Sequence, residues 1–254
     1  LEEDATWAEL ALAAPLPVLP SAGVSGAVHR GRATARVATA TSEVRRAGGR
    51  LGLVWRGFDP DLTAAIDLIA EHVEAEHRPG GRGPRGFSAG PALHVHQVGP
   101  LVRAVGIDRV LRAELRFGDV GYWAIEAGGS LAFRAGPLSM APLLHLAAVA
   151  EEAPLDAVPA LGDRRLVPAV RRHEDHGHRL AVAGLDLSHP IPWQGTVRLR
   201  ARTGVADDLG SGRLVWRTGA GVSVLWWTPF GQIELGAEGT LEDARLVVQL
   251  GPEW

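Results

Sequence analysis

Three times in this chain a strand-like phrase returns: Leu53-Val54-Trp55-Arg56, Leu131-Ala132-Phe133-Arg134 and Leu214-Val215-Trp216-Arg217. Each sets a Leu and an aromatic residue two positions apart, so in an extended strand both project to one face while the Arg projects to the other. The copies stand about 80 residues apart, too far for a stacked solenoid repeat, and they imply a sheet element used repeatedly. The clearest alternation lies at 196–202, with Val197, Leu199 and Ala201 on one face and Thr196, Arg198, Arg200 and Arg202 on the other. This pattern predicts an antiparallel sheet whose apolar face is buried and whose arginine face is wet.

Glycine and proline divide the chain. Residues 210–236 read as three short strands between glycine turns, and Gly48-Gly49 reads as the turn joining strands at Thr41–Arg46 and Leu51–Arg56. Residues 24–37 suggest a glycine-punctuated hairpin, and the prolines at 15, 17 and 20 end a short helix or arm over 1–20. Arg78–Gly86 reads as a flexible surface loop, and Ala237-Glu238-Gly239 as a turn. Strands are expected at Ala92–Val98, Leu111–Phe117, Tyr122–Phe133, Leu180–Leu187, Val222–Trp227, Gln232–Leu235 and Ala244–Leu250. Helical period competes at 62–76, where Leu62, Ile66, Ile69 and Val73 fall on one helix face, and helix is the favoured reading over strand. A second short helix is expected around Leu143–Val149, inside an Ala-, Leu- and Pro-rich stretch at 137–170 that forms the one weak internal boundary.

With 254 residues, 46% of them hydrophobic, the chain can bury a core as a single β domain over 1–254. All 26 basic residues are Arg and the net charge is −3, which argues against a nucleic-acid partner. With no cysteine, disulfides and thiolate-bound metals are excluded. No stretch is long and apolar enough for a membrane-spanning helix. The chain begins with Leu, and a signal or anchor helix ahead of Leu1 is an expectation that the sequence itself does not display.

Chemistry-bearing clusters are few. His94 and His96 lie two apart, on one strand face, and with two of His173, His176 and His178 they would give four imidazoles suited to a borderline metal. The simpler reading makes Arg171–Arg179 an exposed polar turn, so these histidines are weak metal candidates only. There is no cysteine nucleophile, no Gly-x-Ser-x-Gly elbow and no phosphate loop. Glu151-Glu152 and Asp207-Asp208 are adjacent acids without the defined separation that paired catalysis needs. The sequence therefore implies no catalytic residue, no cofactor and no enzyme. Trp226-Trp227 place indoles on opposite faces, both expected to pack against neighbouring elements.

Ala22–Ala33 and Gly49–Arg56 resemble protein N of the bacterial type II secretion system. The matching residues are Val24, Ser25, Gly26, Gly31 and Ala33 in the first phrase and Leu53 and Trp55 in the second, while His29 stands where that family has Trp. Gly129–Arg134 and Gly212–Arg217 resemble its recurring Gly-x-Leu-x-Trp strands. The resemblance implies a mainly β fold, a curved antiparallel sheet or half-barrel with one or two short helices. It further implies a periplasmic domain tethered to the inner membrane by a helix missing from this chain. Its role would be a non-enzymatic scaffold of the secretion machinery, whose partners are other secretion-system proteins at the inner membrane and whose free sheet edges accept partner strands. Two alternatives stand beside it: a periplasmic lipid carrier using the apolar face of the curved sheet as a groove, and a metal-dependent enzyme using the histidine clusters.

Overall fold

The computed structural model describes residues 6–250 apart from 17–18, 38–39, 58–61, 79–80, 103–104, 163–165, 171–174, 210, 229–230 and 241–242. They form one sheet of thirteen strands: β1 (Thr6–Leu16), β2 (Leu19–Val37), β3 (Ala40–Arg56), β4 (Leu62–Arg78), β5 (Gly81–Val102), β6 (Val105–Gly118), β7 (Tyr122–Ala135), β8 (Leu138–Val149), β9 (Gly177–Ile191), β10 (Gly195–Asp208), β11 (Arg213–Thr228), β12 (Gly231–Thr240) and β13 (Ala244–Leu250). Each strand pairs antiparallel with the next in sequence, so spatial order equals chain order. Only β8 and β9 are joined by a long connection, residues 150–176. The sheet is not closed, and β1 and β13 run in the same direction, so pairing them directly would form a parallel ladder.

The strands are longer than the turn signals predict. β3 runs unbroken through Gly48 and Gly49, β2 through the expected hairpin, and β11 through Gly219 and Gly221. Residues 237–239 lie within β12, the arginine-rich stretch at 81–86 within β5, and of the two readings of the N-terminal stretch, helix or arm, Thr6–Leu16 is extended, as β1. These glycines mark close approach rather than turning. A Cβ on Gly48 would stand 2.3 Å from the Ala70 carbonyl oxygen of the neighbouring strand.

No α-helix is present among the described residues; the one helical element is a 3-10 turn at Leu155–Ala157. The helix expected from Leu62 to Val73 is β4, and the one expected at 143–149 is the end of β8. The apparent helical stripe arose because β4 is apolar on both faces: Ile66 and Leu68 point outward, while Val73 and Ala75 are buried on the other face.

The predicted distribution of solvent is inverted. On β10 the apolar residue Leu199 is 47% exposed, whereas Arg200 is 4% exposed. The inversion holds across the sheet. The directly paired residues Ala22, Trp55, Ala64, Val95, Leu111, Ala127, Leu146, Ala181, Val205 and Trp216 cross ten strands, and all are apolar on the outward face.

The other face is concave. Arg46 Nη1 on β3 lies 3.5 Å from the Tyr122 hydroxyl on β7, four strands away and roughly 19 Å apart were the sheet flat. The described residues of the 150–176 connection lie in this concavity and make the core with the strands. Leu161, Val167 and Val170 cluster with Leu180 and Val182, while Val158 joins Val44, Val73, Tyr122 and Val149.

Candidate functional site

Among the described residues, buried charged side chains are concentrated on the concave face and against the segment lying in it. At one end, Arg46 on β3 grips Asp156 of the segment with two hydrogen bonds, Nε to Oδ2 at 2.6 Å and Nη2 to Oδ1 at 2.8 Å. Arg46 Nη1 also donates to Glu71 on β4. Glu71 receives His29 Nε2 at 3.3 Å and lies 3.5 Å from Arg116 Nη2. Arg116 Nε donates to Glu114 at 2.5 Å, and the Tyr122 hydroxyl donates to the same carboxylate oxygen at 2.7 Å. Planar guanidinium forks meeting carboxylates are the geometry in which buried charges are tolerated.

At the other end the segment is held by backbone as well as charge. Ala169 N–H donates to Glu238 Oε2 at 3.2 Å, and Glu238 also receives Arg245 Nη2 at 3.0 Å. Arg200 joins Glu234 at 3.1 Å, Arg202 joins Asp186 at 2.7 Å and reaches the Leu166 carbonyl at 3.5 Å, and Arg217 joins Asp175 at 2.7 Å. The floor is glycine where the segment comes closest. A Cβ on Gly219 would lie 2.0 Å from the Pro168 carbonyl oxygen, and one on Gly204 would lie 2.6 Å from Leu161. Ala169 and Asp175 hold positive φ of 62° and 55°, uncommon for residues with a Cβ, and the tethers beside them fix that backbone.

Between the sheet and the segment lies a cavity of about 580 Å³ walled in part by Arg50, Asp67, His94, Arg112, Glu126 and His145. Arg112 Nη1 is 3.4 Å from Glu126, and His145 Nε2 is 3.8 Å from the same carboxylate. Mixed charge along an open wall suits hydrated or polar matter in passage. It does not present a nucleophile with its base.

The histidines singled out from sequence are dispersed. His94 and His96 share the concave face of β5, as the alternation predicts, and His96 Nε2 is 3.2 Å from Asp108. His176 is buried at the end of the inserted segment, with Nδ1 3.3 Å from the Val158 carbonyl oxygen. His178 stands in β9, and His173 lies outside the described residues. Among the described residues no group of three or more His, Asp or Glu side chains converges in the manner of a metal site. Trp227 is 62% exposed rather than packed.

Sequence reasoning did not find Arg46, Glu71, Arg116, Asp156, Arg200, Glu234 or Glu238. The available signal was the placement of charges opposite apolar residues in successive strands, with Arg on one strand and acid on a neighbour.

The chain's three-dimensional structure is similar to the crystal structure of BamA from Haemophilus ducreyi lacking POTRA domains 1-3. The TM-score is 0.71 at 14% identity, and the match covers 97% of this chain and 61% of that one. It is also similar to CdiB from Acinetobacter baumannii, with a TM-score of 0.61 at 10% identity, covering 93% of this chain and 47% of that one. Both of those proteins are β-barrels, so the likeness is one of fold. The chain thus spans less than two thirds of the length of either protein. No protein-family model and no curated protein sequence matches it.

These likenesses overturn the resemblance to protein N of type II secretion, and with it the inner-membrane tether, the periplasmic location and the inner-membrane scaffold role. The phrases that carried it, small residues around glycine and Leu-x-Trp before an Arg, are what any strand with one lipid-like and one polar face supplies. The lipid-carrier and metal-enzyme alternatives gain no support either. The apolar face forms the outside of the curve rather than a groove.

Proposed function

We propose that the chain is the membrane-embedded β-sheet of an outer-membrane transporter of the BamA and CdiB kind, which moves or inserts polypeptide without catalysing a covalent reaction. The observation that carries this reading is the inverted polarity: residues facing out from the curve are apolar, and the charges are paired inside it. A protein in water gains by burying the first set, whereas in a bilayer the same arrangement satisfies both the lipid and the polar interior. Aromatic residues add support. Trp55, Phe133, Trp193 and Trp226 stand at one end of the strands, and Phe117, Trp123 and Trp216 at the other, as the two interfacial girdles of such barrels do. Partners are then other transport or secretion proteins at the outer membrane. The whole of 1–254 acts as one β domain, with 150–176 as a resident filling of the polar interior.

Reconstitution into vesicles whose acyl chains carry bromine tests the reading. Strong quenching of tryptophan emission is expected, together with an electrophoretic mobility that shifts on heating, because a folded membrane barrel resists dodecyl sulfate until boiled. A chain that stays monomeric and unquenched in detergent-free buffer would overturn it.

A further inference from the structure

The outward face of β2–β5 changes character along a sharp line. Four successive cross-strand rows are apolar, Val28-Gly49-Ala70-Ala89 through Ala22-Trp55-Ala64-Val95. The next two rows are Arg30-Ala47-His72-Phe87 and Arg32-Arg45-Glu74-Arg85. Ala47, the small residue at the centre, forms part of the floor of a cavity of about 580 Å³ walled by Arg30, Arg32, Arg45, His72 and Glu74.

The charges around this cavity are unevenly satisfied. Arg32 Nη2 and Arg45 Nε both bind Glu43, at 2.6 and 2.7 Å, and Glu43 is itself buried beneath them. Arg85 pairs with Glu74 at 3.3 Å, and Glu76 lies one row further from the apolar band, opposite Glu43. Arg30 is exposed and has no side-chain partner among the described residues. Arg32 and Arg45 are each more than half exposed and use one nitrogen on Glu43, which leaves further N–H donors facing the cavity.

Resting on the membrane-embedded reading, we propose that this cavity binds the phosphate of an anionic lipid headgroup, whose acyl chains lie along the rows beginning at Val28. The charge is complementary, because guanidinium forks match phosphate oxygens. The position is complementary too, because Val28, Leu51 and Leu68, each about 60% exposed, continue from the cavity into the band. A lipid satisfies both features at once, and a free phosphate only the first.

The test is native mass spectrometry of the full chain released from nanodiscs holding equal phosphatidylglycerol and phosphatidylcholine. The wild type is expected to retain phosphatidylglycerol in at least about fivefold excess, and R109Q, which changes an outward arginine on β6 away from the cavity, to retain the same excess. The triple variant R30Q/R32Q/R45Q is expected to retain the two lipids equally. Ala47→Phe, which fills the cavity and leaves every charge in place, is expected to lose the excess as well. No preference in the wild type, or an undiminished preference in both the triple variant and A47F, would overturn the proposal while leaving the membrane reading intact. A chain that does not enter the nanodisc would overturn that reading, and the lipid site with it.

Discussion

Arg45 and Arg46 adjoin in sequence and occupy opposite faces of β3. The Arg46 side chain is 9% exposed and held between Asp156 and Glu71 on the concave side; that of Arg45 is 53% exposed at the outer rim, with Glu43 as its partner. The contrast extends to the two faces of the sheet. Inside, charge holds the inserted segment in place, and the buried carboxylates Glu71, Glu234 and Glu238 each meet a guanidinium. Outside, apolar side chains predominate in the band, and on β2–β5 the charges begin beyond it. One residue type therefore does two jobs, according to whether its strand position falls on the odd or the even face.

The most direct way to break this comparison is to remove Arg46. Arg46→Ala leaves Asp156 and Glu71 without their shared cation, and a loss of about 3–5 kcal/mol is expected, measured by urea unfolding in lipid vesicles. Arg45→Ala should leave the same curve unmoved, and equal losses would erase the distinction between the faces. Next comes the outer band. Leu144→Arg puts a charge near the middle of β8 on the outward face and should cost about 2–4 kcal/mol in bilayer-folded protein, whereas a neutral result would remove the band from the hydrocarbon.

The inserted segment gives a third test. Gly219→Val places methyl groups where the Pro168 carbonyl lies, and a loss of about 1–3 kcal/mol is expected, accompanied by faster proteolysis within 150–176. Unchanged proteolysis would show that the segment is not seated on that glycine. The smallest effect is expected at Thr218, whose hydroxyl stands 3.0 Å from that of Thr203 on the outward face. Thr218→Val should shift stability by less than about 1 kcal/mol, and a larger loss would mean that this polar pair, within an apolar face, carries more than pairing.

Much of the strand inventory was legible in the sequence. Ala244–Leu250 is β13 as read from its pattern, and the cores of β5, β6, β7, β9 and β11 lie where alternation placed them. What misled was punctuation. Gly48, Gly49, Gly219 and Gly221 signal turns when read locally, but two of them make room for something: Gly48 for β4, and Gly219 for the inserted segment. The helical stripe at 62–73 misled for a related reason, since Val73 is buried by contacts from the concave side that no local window contains. The charged network was hidden because its members are far apart in the chain; Arg46 and Asp156 are 110 positions apart.

The sequence by itself determined the period, and with it that Val197, Leu199 and Ala201 share one face and Arg198, Arg200 and Arg202 the other. It did not determine which face looks inward, because an alternating strand has the same pattern whether its apolar side meets a core or a bilayer. Only the tertiary structure decided that. The curvature of thirteen paired strands puts the arginines on the side where carboxylates of β4, β6, β12 and the inserted segment can neutralise them. A charge so enclosed is stable only with such partners, whereas an apolar side chain facing outward requires only that the medium there be lipid.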